Sequence, residues 1–356
     1  MPRKKATKAT EKTGLDPAIE AINNELRKKY NNEMVRVYDK EVVAPFIPTG
    51  IVKLDRALGG GLPVGRVVEL YGEPSTGKST IVLQAMVEAQ RLHPDKVCVF
   101  IDMEHALDTT WAKKLGIQFD KLIHCQPEFG EEALYIAEAY LKSGKCSVIA
   151  VDSVAALLPE KVMQGDIGDA NIGAQARLVS QVMQRMNSIL FKTPTVVILI
   201  NQTRDKIQGG AQSMRFESVK TTGGKSIKFY TTTRLELKRI KTHARGTGNE
   251  REDYAQDVLV KVDKHKVLAG PGARIVFRID KRYGVDTAHE ILQWAIKNKK
   301  VVKKGAWFEF GDDRVQGDDA AKTVIREQHL PEWHDEMRED NDYTATIESD
   351  IQDAEE

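Results

Sequence analysis

The sequence is poor in cysteine and in aromatic residues. Its 356 residues include three cysteines, and aromatic side chains make up 6% of the total. Cys98, Cys125 and Cys146 lack the spacing of a metal-binding motif, and each lies in an apolar, strand-like context. This pattern is typical of buried free thiols in a reducing compartment. We therefore expect a cytoplasmic protein without a cysteine-based metal site.

Long apolar runs are also missing. No apolar segment approaches the length that a membrane span needs, and no apolar segment of a secretory signal follows the basic N-terminus. Charged residues make up 29% and hydrophobic residues 41%, which is typical of soluble globular proteins. We therefore expect no membrane partner. The length allows one large domain with appendages, or two domains.

The net charge of +1 conceals two regions of opposite charge. Residues 336–356 contain nine acidic residues and one basic residue, a net charge of −8, which leaves +9 for residues 1–335. A basic body with an acidic tail is compatible with an anionic partner for which the tail competes. It is equally compatible with a solvated terminus that has no role, and charge alone does not decide between the two.

One glycine-rich segment predicts a nucleoside triphosphate site. Residues 72–79 read G-E-P-S-T-G-K-S, and they lie between an apolar run and a helix-like run. In a strand–loop–helix context, this pattern wraps phosphates with backbone N–H groups at a helix N-terminus. Lys78 is expected to reach the β- and γ-phosphates, and Ser79 to hold Mg²⁺. The predicted phosphate site comprises Gly72, Glu73, Pro74, Ser75, Thr76, Gly77, Lys78, Ser79 and Thr80.

Three other apolar strands lead into polar side chains that suit phosphate chemistry. One strand ends in Asp152, which is expected to orient Mg²⁺. A second precedes Glu104, the best candidate to orient or activate water, whereas Asp108 fits better as the cap of the next helix. The third leads to Gln202, whose amide can sense the γ-phosphate and couple nucleotide state to the loop that follows.

From residue 46 the chain alternates strand-like and helix-like segments. This alternation predicts a mostly parallel, doubly covered sheet that binds ligands at the carboxyl ends of its strands. The predicted strands are 66–71, 97–102, 122–126, 147–152 and 195–201, and the predicted helices are 78–91, 108–116, 131–143 and 175–191. A glycine-rich loop at 203–226 is expected to be functional or mobile. Alternating polarity then predicts antiparallel strands at 226–239 and 256–262, joined by a turn at 242–253.

The two ends of the chain have their own signals. Asp16 and Pro17 predict the start of a helix. Its apolar stripe consists of Leu15, Ile19, Ile22, Leu26 and Tyr30. The stripe fits docking on the chain's own body or on a neighbouring subunit, and its pattern does not decide between them. Residues 272–330 predict a small α/β unit, with a strand at 274–279 and a helix at 287–298.

Two other classes of P-loop protein fit the sequence less well. A GTPase needs an N-K-x-D motif to read its base, and neither Asn201 nor Asn298 begins one. A small-molecule kinase usually has an arginine-rich lid after the sheet, whereas the long loop here has only Arg204 and Arg215. The sequence therefore gives little support to a GTPase or to a small-molecule kinase.

An ordered series of motifs resembles the bacterial RecA recombinase family, from about residue 15 to residue 316. The series includes the P-loop, D-M-E-H-A-L-D at 102–108, V-D-S-V-A-A-L at 151–157, N-Q at 201–202, T-G-G at 222–224 and K-F-Y at 228–230. The resemblance implies a P-loop, RecA-type α/β fold with a doubly wound, mostly parallel sheet. The implied domains are an N-terminal tail with polymerisation helix and linker (1–45), an ATPase core (46–271), a small C-terminal α/β domain that binds duplex DNA (272–330) and an acidic disordered tail (331–356).

For the nucleotide, the resemblance implies ATP with Mg²⁺ and gives several residues a role. It matches Glu104 to the catalytic carboxylate and Gln202 to the γ-phosphate sensor. Asp108 and Trp111 match positions that contact adenine, and Trp111 stands where the family commonly has tyrosine. Lys264 and Lys266 match a lysine pair that reaches the γ-phosphate of the neighbouring subunit, so that ATP binding would require a filament. Without the resemblance, the sequence around Lys264 and Lys266 favours two lysines that are solvated at the end of a strand.

For DNA, the resemblance implies two loops, at 164–173 and 203–226, that bind a single strand. The expected DNA contacts are Ile172, Arg177, Ser180, Arg204, Lys206, Ile207, Gly223 and Gly224. Both isoleucines would wedge between bases, and the other residues would hold phosphates or make the second loop basic. The lysines of the C-terminal domain (297, 299, 300, 303 and 304) would guide duplex DNA, with the acidic tail as a brake. The second loop departs from the family's pattern by being longer.

The resulting hypothesis is a DNA-dependent ATPase for homologous recombination and DNA repair. It would polymerise on single-stranded DNA as a helical homo-oligomer, pair that strand with homologous double-stranded DNA and promote strand exchange. One alternative is a ring-forming DNA motor of the same fold, such as a helicase. Another is a scaffold that binds ATP without hydrolysing it, which the presence of Lys78, Asp152 and Glu104 disfavours.

Overall fold

The structure is a computed structural model that describes residues 16–30, 45–165, 173–204, 220–221, 224–246, 251–267 and 272–340. The chain divides into two units, residues 1–44 and residues 45–356. Each unit is described by itself below.

In the first unit, helix α1 spans Pro17–Tyr30. Asp16 caps it, because its Oδ1 accepts a hydrogen bond from the Ala18 N–H over 2.8 Å. The helix start predicted at Asp16 and Pro17 is thereby confirmed. Ile19, Ile22 and Leu26, three members of the apolar stripe, are 48%, 55% and 37% exposed.

The second unit contains the remaining elements. The strands are β1 (Phe46–Ile47), β2 (Leu62–Pro63), β3 (Val67–Gly72), β4 (Val97–Asp102), β5 (Leu122–Cys125), β6 (Cys146–Asp152), β7 (Val196–Arg204), β8 (Lys220–Thr221), β9 (Thr233–Arg245), β10 (Glu252–His265), β11 (Arg274–Asp280), β12 (Gly284–Val285), β13 (Val302–Lys304), β14 (Trp307–Phe310) and β15 (Asp313–Gln316). The helices are α2 (Val52–Ala57), α3 (Lys78–Leu92), α4 (Thr109–Leu115), α5 (Gly130–Ser143), α6 (Glu160–Gln164), α7 (Ala174–Leu190), α8 (Gly224–Tyr230), α9 (Thr287–Lys297), α10 (Asp318–Val324) and α11 (Leu330–Glu339). Short 3₁₀ turns lie at Phe119–Lys121 and Val154–Ala156, and a π-helical turn at Ile325–His329 joins α10 to α11.

One large sheet carries the fold. Its strands follow the order β12-β11-β10-β9-β3-β7-β6-β4-β5, with β8 paired to β7. The six strands from β9 to β5 run parallel, whereas β10, β11 and β12 are antiparallel. Helix α3 packs on one face, and α5 and α7 pack on the other. The predicted doubly covered, mostly parallel α/β sheet is confirmed.

Continuous apolar runs form the centre of this sheet because helices cover both faces. In β6, Val148, Ile149, Ala150 and Val151 are all fully buried. Cys98 in β4 and Cys146 in β6 are buried free thiols, and burial raises the pKa of Cys98 to about 11. The prediction of buried free thiols is therefore confirmed for these two cysteines, whereas Cys125 is only partly buried.

The strand predicted at 226–239 is wrong in its first part. Residues Gly224–Tyr230 form helix α8, and the strand begins at Thr233. The backbone of Gly224 has a φ of +74°, and Ile227 is fully buried in the core cluster that α7 also lines. Packing against α7 therefore overrides the local preference for a strand.

Two predicted boundaries near the antiparallel strands also need correction. The turn predicted at 242–253 is shorter, because β9 continues to Arg245 and β10 begins at Glu252. The C-terminal unit does not begin at residue 272, because β11 pairs with β10 along seven residue pairs of the main sheet. Periodicity identifies a strand but does not tell which sheet it joins.

The C-terminal part has its own core, built from α9, the small sheet β13-β14-β15, and α10 and α11. Trp294 and Trp333 meet edge to face with ring centroids 6.5 Å apart. Met337 is fully buried, and the Trp294 indole N–H donates to Asp340 over 2.6 Å. The acidic tail predicted to begin at residue 331 therefore begins too early: the chain is helical through Glu339. Residues 341–356 lie outside the described part of the chain.

Candidate functional site

The P-loop joins β3 to α3 at the carboxyl end of the parallel strands. Gly77 precedes α3 with a φ of +90°, a conformation that favours glycine. A Cβ atom there would lie 2.3 Å from Cδ1 of Ile279 in β11. The positive φ therefore favours glycine at the point where the loop turns into the helix, and any larger residue would also displace the end of the Ile279 side chain.

Lys78 is buried at the first turn of α3. Its Nζ donates to the carbonyl oxygens of Gly72 over 3.1 Å and Glu73 over 2.6 Å. Burial lowers the pKa of Lys78, and the nearby carboxylates of Asp152 and Glu104 oppose that shift. The ammonium group is thus held inside the loop, where phosphate oxygens can replace the carbonyls as its acceptors.

Ser79 and Asp152 meet beside Lys78. The Ser79 hydroxyl donates to Oδ2 of Asp152 over 2.7 Å. Burial raises the pKa of Asp152 to about 6, and the hydrogen bond from Ser79 opposes the rise. Two hard oxygen donors at this separation fit neighbouring positions around Mg²⁺, because an octahedron with bonds of about 2.1 Å has edges of about 2.9 Å. Ser79 and Asp152, the two residues predicted to bind Mg²⁺, are therefore adjacent, and their oxygen atoms suit this ion.

Glu104 receives two hydrogen bonds on one oxygen atom. Gln202 Nε2 donates to Oε1 of Glu104 over 2.8 Å, and the Ser153 hydroxyl donates to the same oxygen. Ser153 is fully buried and directly follows Asp152. Sequence reasoning did not predict the contact between Ser153 and Glu104, which are 49 positions apart. The structure thus brings the two predicted catalytic side chains together and leaves Oε2 of Glu104 for another partner.

A buried polar network orients Gln202 from behind. The Gln202 N–H donates to the side-chain oxygen of Asn201, whose amide donates to Glu69 over 2.9 Å. Arg234 then bonds Glu69 over 2.5 Å and Asp263 over 2.6 Å. The row spans four neighbouring strands, β7, β3, β9 and β10. The buried carboxylate of Glu69 is compensated by the guanidinium group of Arg234 on the next strand. No local motif marks Glu69 or Arg234, so the sequence did not predict them.

Asp108 and Trp111 lie beside the same loop. Asp108 caps α4, since its Oδ1 accepts from the Trp111 N–H over 2.9 Å. The Trp111 indole N–H donates to the Thr80 hydroxyl over 3.2 Å. Both Asp108 and Trp111 line a cavity of about 230 Å³ with the P-loop side chains. The lining is Pro74, Ser75, Lys78, Ser79, Leu83, Phe100, Glu104, Ala106, Leu107, Asp108, Trp111, Asp152, Ile200 and Gln202.

Asp102 shapes the segment that carries Glu104. Its two carboxylate oxygens accept from the N–H groups of Ala106 and Leu107, each over 3.1 Å. His124 from β5 contacts the same carboxylate over 3.1 Å. Asp102 therefore anchors the turn, whereas Glu104 is exposed at the cavity. Sequence reasoning singled out Glu104 as the candidate to activate water but did not predict the anchoring role of Asp102, the last residue of β4.

Lys264 lies away from the P-loop of its own chain. In the sheet it stands opposite Arg234, which pairs with Glu69, three residues or about 10 Å before Gly72 along β3. Its Nζ donates to the carbonyls of Lys228 and Thr231 at the end of α8. Burial lowers the pKa of Lys264 to about 8, and the neighbouring Lys266 adds to the shift. Lys266 is exposed one residue beyond β10.

Part of the predicted DNA surface lies in the described chain. Arg177 and Ser180 stand one helical turn apart on α7, and Arg177 is exposed. Gly224 begins α8 against Ala176, so the ends of both predicted DNA loops come together. Arg204 belongs to β7, and Thr203–Arg204 pairs with Lys220–Thr221. Ile172, Lys206, Ile207 and Gly223 lie outside the described residues.

The predicted basic patch of the C-terminal domain is partly neutralised. Lys300 pairs with Glu336 over 2.5 Å and lies 5.5 Å from the rings of Trp294 and Trp333. Lys304 pairs with Glu309 over 2.9 Å. Exposed pairs of this kind are weak and screened by salt, so phosphates can replace the carboxylates.

In the described part of the chain, no helix combines the length and apolarity that crossing a membrane requires. No group of three or more His, Cys, Asp or Glu side chains there is arranged to hold a metal ion. A metal at Ser79 and Asp152 would therefore need further ligands from nucleotide and water, which is how proteins usually hold Mg²⁺.

Comparisons with known proteins agree with this architecture. The family model described as "RecA N-terminal domain" matches residues 14–286. "Protein RecA" of Sulfurovum sp. (strain NBC37-1) is 42% identical over 326 residues, covering 90% of both chains. "Protein RecA" of Chloroherpeton thalassium is 41% identical over 88% of this chain and 84% of its own, and that of Geobacter metallireducens is 38% identical over 93% and 96%. The phosphate loop, the strand-end carboxylates and this similarity along nearly the whole chain show that the protein belongs to the RecA family.

Proposed function

We propose that this protein polymerises on single-stranded DNA in the presence of ATP, pairs that strand with homologous duplex DNA and promotes strand exchange. As a member of the RecA family, it is a DNA-dependent ATPase of homologous recombination and DNA repair. The family assignment does not favour a ring-forming helicase. A cytoplasmic location remains a prediction.

The convergence of Lys78, Ser79, Asp152, Glu104 and Gln202 on one cavity is the observation that carries the proposal. A binding scaffold would need the phosphate loop alone. Here a carboxylate and an amide from distant strands meet where the γ-phosphate of ATP would lie. That arrangement suits hydrolysis, which requires an oriented water molecule next to a stabilised phosphoryl group.

Mg²⁺ would be held by Ser79 and Asp152 together with the nucleotide phosphates. When bound, it neutralises charge that develops on the phosphate oxygens. Lys78 gives up its bonds to the loop carbonyls and donates to the phosphates, and the N–H groups of residues 72–79 surround them. The adenine ring fits beside Trp111, whose indole offers an aromatic face.

Glu104 orients the attacking water and accepts its proton. Its Oε1 is occupied by Ser153 and Gln202, so Oε2 is the oxygen that faces the water. Gln202 can instead donate to the γ-phosphate, and its bond to Glu104 is then broken. Because the second DNA loop follows Gln202 directly, this exchange links the nucleotide to the loop at 203–226.

The neighbouring subunit completes the site in this proposal. In the sheet, Lys264 stands opposite Arg234, which pairs with Glu69 three residues before Gly72, and Lys266 is exposed just beyond β10. This position supports a role at the nucleotide of an adjacent chain. The apolar stripe of α1 supports polymerisation, since Ile19 and Ile22 offer an apolar surface that a neighbouring subunit can cover. DNA would bind along α7 and α8 through Arg177, Ser180 and Gly224.

Phosphate release measured with and without single-stranded DNA tests the activity, and electron microscopy with ATP and the same DNA tests the assembly. We expect hydrolysis that single-stranded DNA stimulates, and open helical filaments. Closed rings would favour the helicase alternative, and nucleotide binding without hydrolysis would favour the scaffold. Lys78→Ala serves as the control for contaminating ATPases, because it removes the central phosphate contact.

A further inference from the structure

The side chain of Gln175 connects helix α7 to the candidate catalytic site. Gln175, the second residue of the helix, donates from Nε2 to the carbonyl oxygens of Val154 and Ala155, both over 3.0 Å. These two residues directly follow Ser153, whose hydroxyl holds Glu104. Gln175 therefore lies two contacts away from the carboxylate that is proposed to activate water.

The segment that accepts the hydrogen bonds of Gln175 is short and largely buried. Ser153 and Val154 are fully buried, and residues Val154–Ala156 form a single 3₁₀ turn. The carbonyl of Val154 also accepts from Leu157 within the same segment, whereas the bond from Gln175 comes from another element, α7. A shift of the side chain of Gln175 is thus transmitted to the backbone next to Ser153.

Helix α7 can transmit a movement between its predicted DNA contacts and Gln175 in its first turn. Val179, Met183, Met186 and Leu190 are buried along one face, so the helix is packed as a rigid unit against the sheet. It begins at Ala174, immediately after the predicted first DNA loop, and it carries the predicted phosphate contacts Arg177 and Ser180. DNA bound to this surface would therefore fix the position of the turn that contains Gln175.

We propose that Gln175 is a positioning residue that couples DNA bound along α7 to Glu104, through residues 153–155. Without DNA, the helix start is free to shift and Ser153 holds Glu104 less firmly. With DNA, the helix start is fixed, the two bonds from Gln175 hold the turn, and Ser153 aligns the Glu104 carboxylate toward the water. This inference rests on the proposed function, because it explains how DNA accelerates hydrolysis by this site.

The test compares hydrolysis by the full chain with and without an oligo(dT) single strand. In Gln175→Ala we expect the stimulation by DNA to fall about tenfold, which is the rate factor that corresponds to the net contribution of one good hydrogen bond. Gln175→Glu matches the shape of glutamine but has no N–H to donate, so it should lose stimulation as well. Gln175→Lys keeps a donor and should recover part of it. Gln184→Ala, at an exposed site on the same helix, is the control and should behave like the wild type.

Two further measurements separate coupling from a general structural effect. The affinity for oligo(dT) and the KM for ATP should stay within about twofold of the wild type, because Gln175 contacts neither ligand. In a Ser153→Ala background, Gln175→Ala should cause little additional loss, because both act on the same carboxylate. Unchanged stimulation in Gln175→Ala, or fully additive losses in the double variant, would overturn the inference. A wild type that DNA does not stimulate would overturn the proposed function, and this inference with it.

Discussion

Gln202 donates a hydrogen bond from its side-chain amide to Glu104 over 2.8 Å, although the two residues are 98 positions apart in the chain. The bond places the amide that is predicted to sense the γ-phosphate beside the proposed water-activating carboxylate. In the proposed function, the nucleotide and Glu104 therefore compete for the same amide.

Glu104→Gln should lower DNA-stimulated ATP hydrolysis by about 10²- to 10⁴-fold, because the amide can still be held by Ser153 but cannot accept a proton from water. Binding of ATP and single-stranded DNA should persist, since the phosphate loop and α7 are unchanged. Single-turnover hydrolysis and DNA-binding titrations measure the two effects separately. Near-normal turnover in this variant would remove Glu104 from its proposed role.

Gly77→Ala should destabilise the chain and abolish ATP binding. Alanine is strained at a φ of +90°, and its Cβ atom would lie 2.3 Å from Ile279 Cδ1, so we expect the loop to relax away from its phosphate-binding shape as the Ile279 side chain is displaced. Gly144→Ala is the matched control, because Gly144 also has a positive φ but nothing lies within 4 Å of the added Cβ. Both variants should lose about 1–3 kcal/mol of folding free energy to backbone strain. ATP should raise the melting temperature of the wild type and of Gly144→Ala, but not that of Gly77→Ala.

Filament assembly with ATP should weaken as the pH rises above about 8. The pKa of Lys264 is lowered to about 8 by burial, so its ammonium loses a proton in the free subunit just above neutral pH. The neutral amine cannot attract the γ-phosphate of a neighbour, whereas the folded subunit itself gains stability through this window because the unfolded chain binds more protons there.

Lys264→Arg keeps its charge throughout this range and should flatten the pH dependence. Light scattering between pH 7 and pH 9 measures assembly, and circular dichroism over the same range follows folding. The same pH dependence in wild type and Lys264→Arg would show that another group titrates.

Removal of residues 341–356 should leave the C-terminal domain folded and accelerate uptake of duplex DNA. This segment contains six acidic residues and no basic ones, so its loss removes negative charge that competes with DNA. Truncation after His329 should instead cost several kcal/mol, because Trp333 and Met337 belong to the domain core and each large core side chain contributes about 2–5 kcal/mol. Strand-exchange rates and denaturant unfolding of both truncations test the prediction. Unchanged duplex uptake after the shorter truncation would mean that the tail has no inhibitory role.

Thr80→Val should raise the KM for ATP by about fivefold with little change in kcat. The substitution keeps the size of the side chain but removes the acceptor for the Trp111 indole N–H, a bond that holds the ring beside the cavity. Trp111→Phe removes the donor, so the double variant should lose little more than either single variant. Steady-state kinetics of the three proteins measure the coupling. Additive losses would show that Thr80 and Trp111 act separately.

Much of the site was predictable because its motifs are local. The P-loop, Asp152, Glu104 and the cap at Asp108 each lie at the end of an apolar strand or the start of a helix, and the structure places them there. Ser153, Glu69, Arg234 and Gln175 were not predicted as site residues, because each acts through a partner at least 20 positions away. No periodicity or spacing marks such pairs.

The amino-acid sequence by itself determined the elements and the chemistry: alternating apolar strands and helices, a phosphate loop whose glycines permit its turn, and the types of side chain at the strand ends. Only the tertiary structure decided how these parts meet. It turned residues 224–230 into a helix, placed β11 in the main sheet rather than in a separate domain, and packed α11 into the C-terminal core. The physical reason is that strand order and helix packing depend on hydrogen bonds and burial between distant segments. The contact between Gln202 and Glu104 arises in the same way, because it exists only once β7 and β4 flank β6 in one sheet.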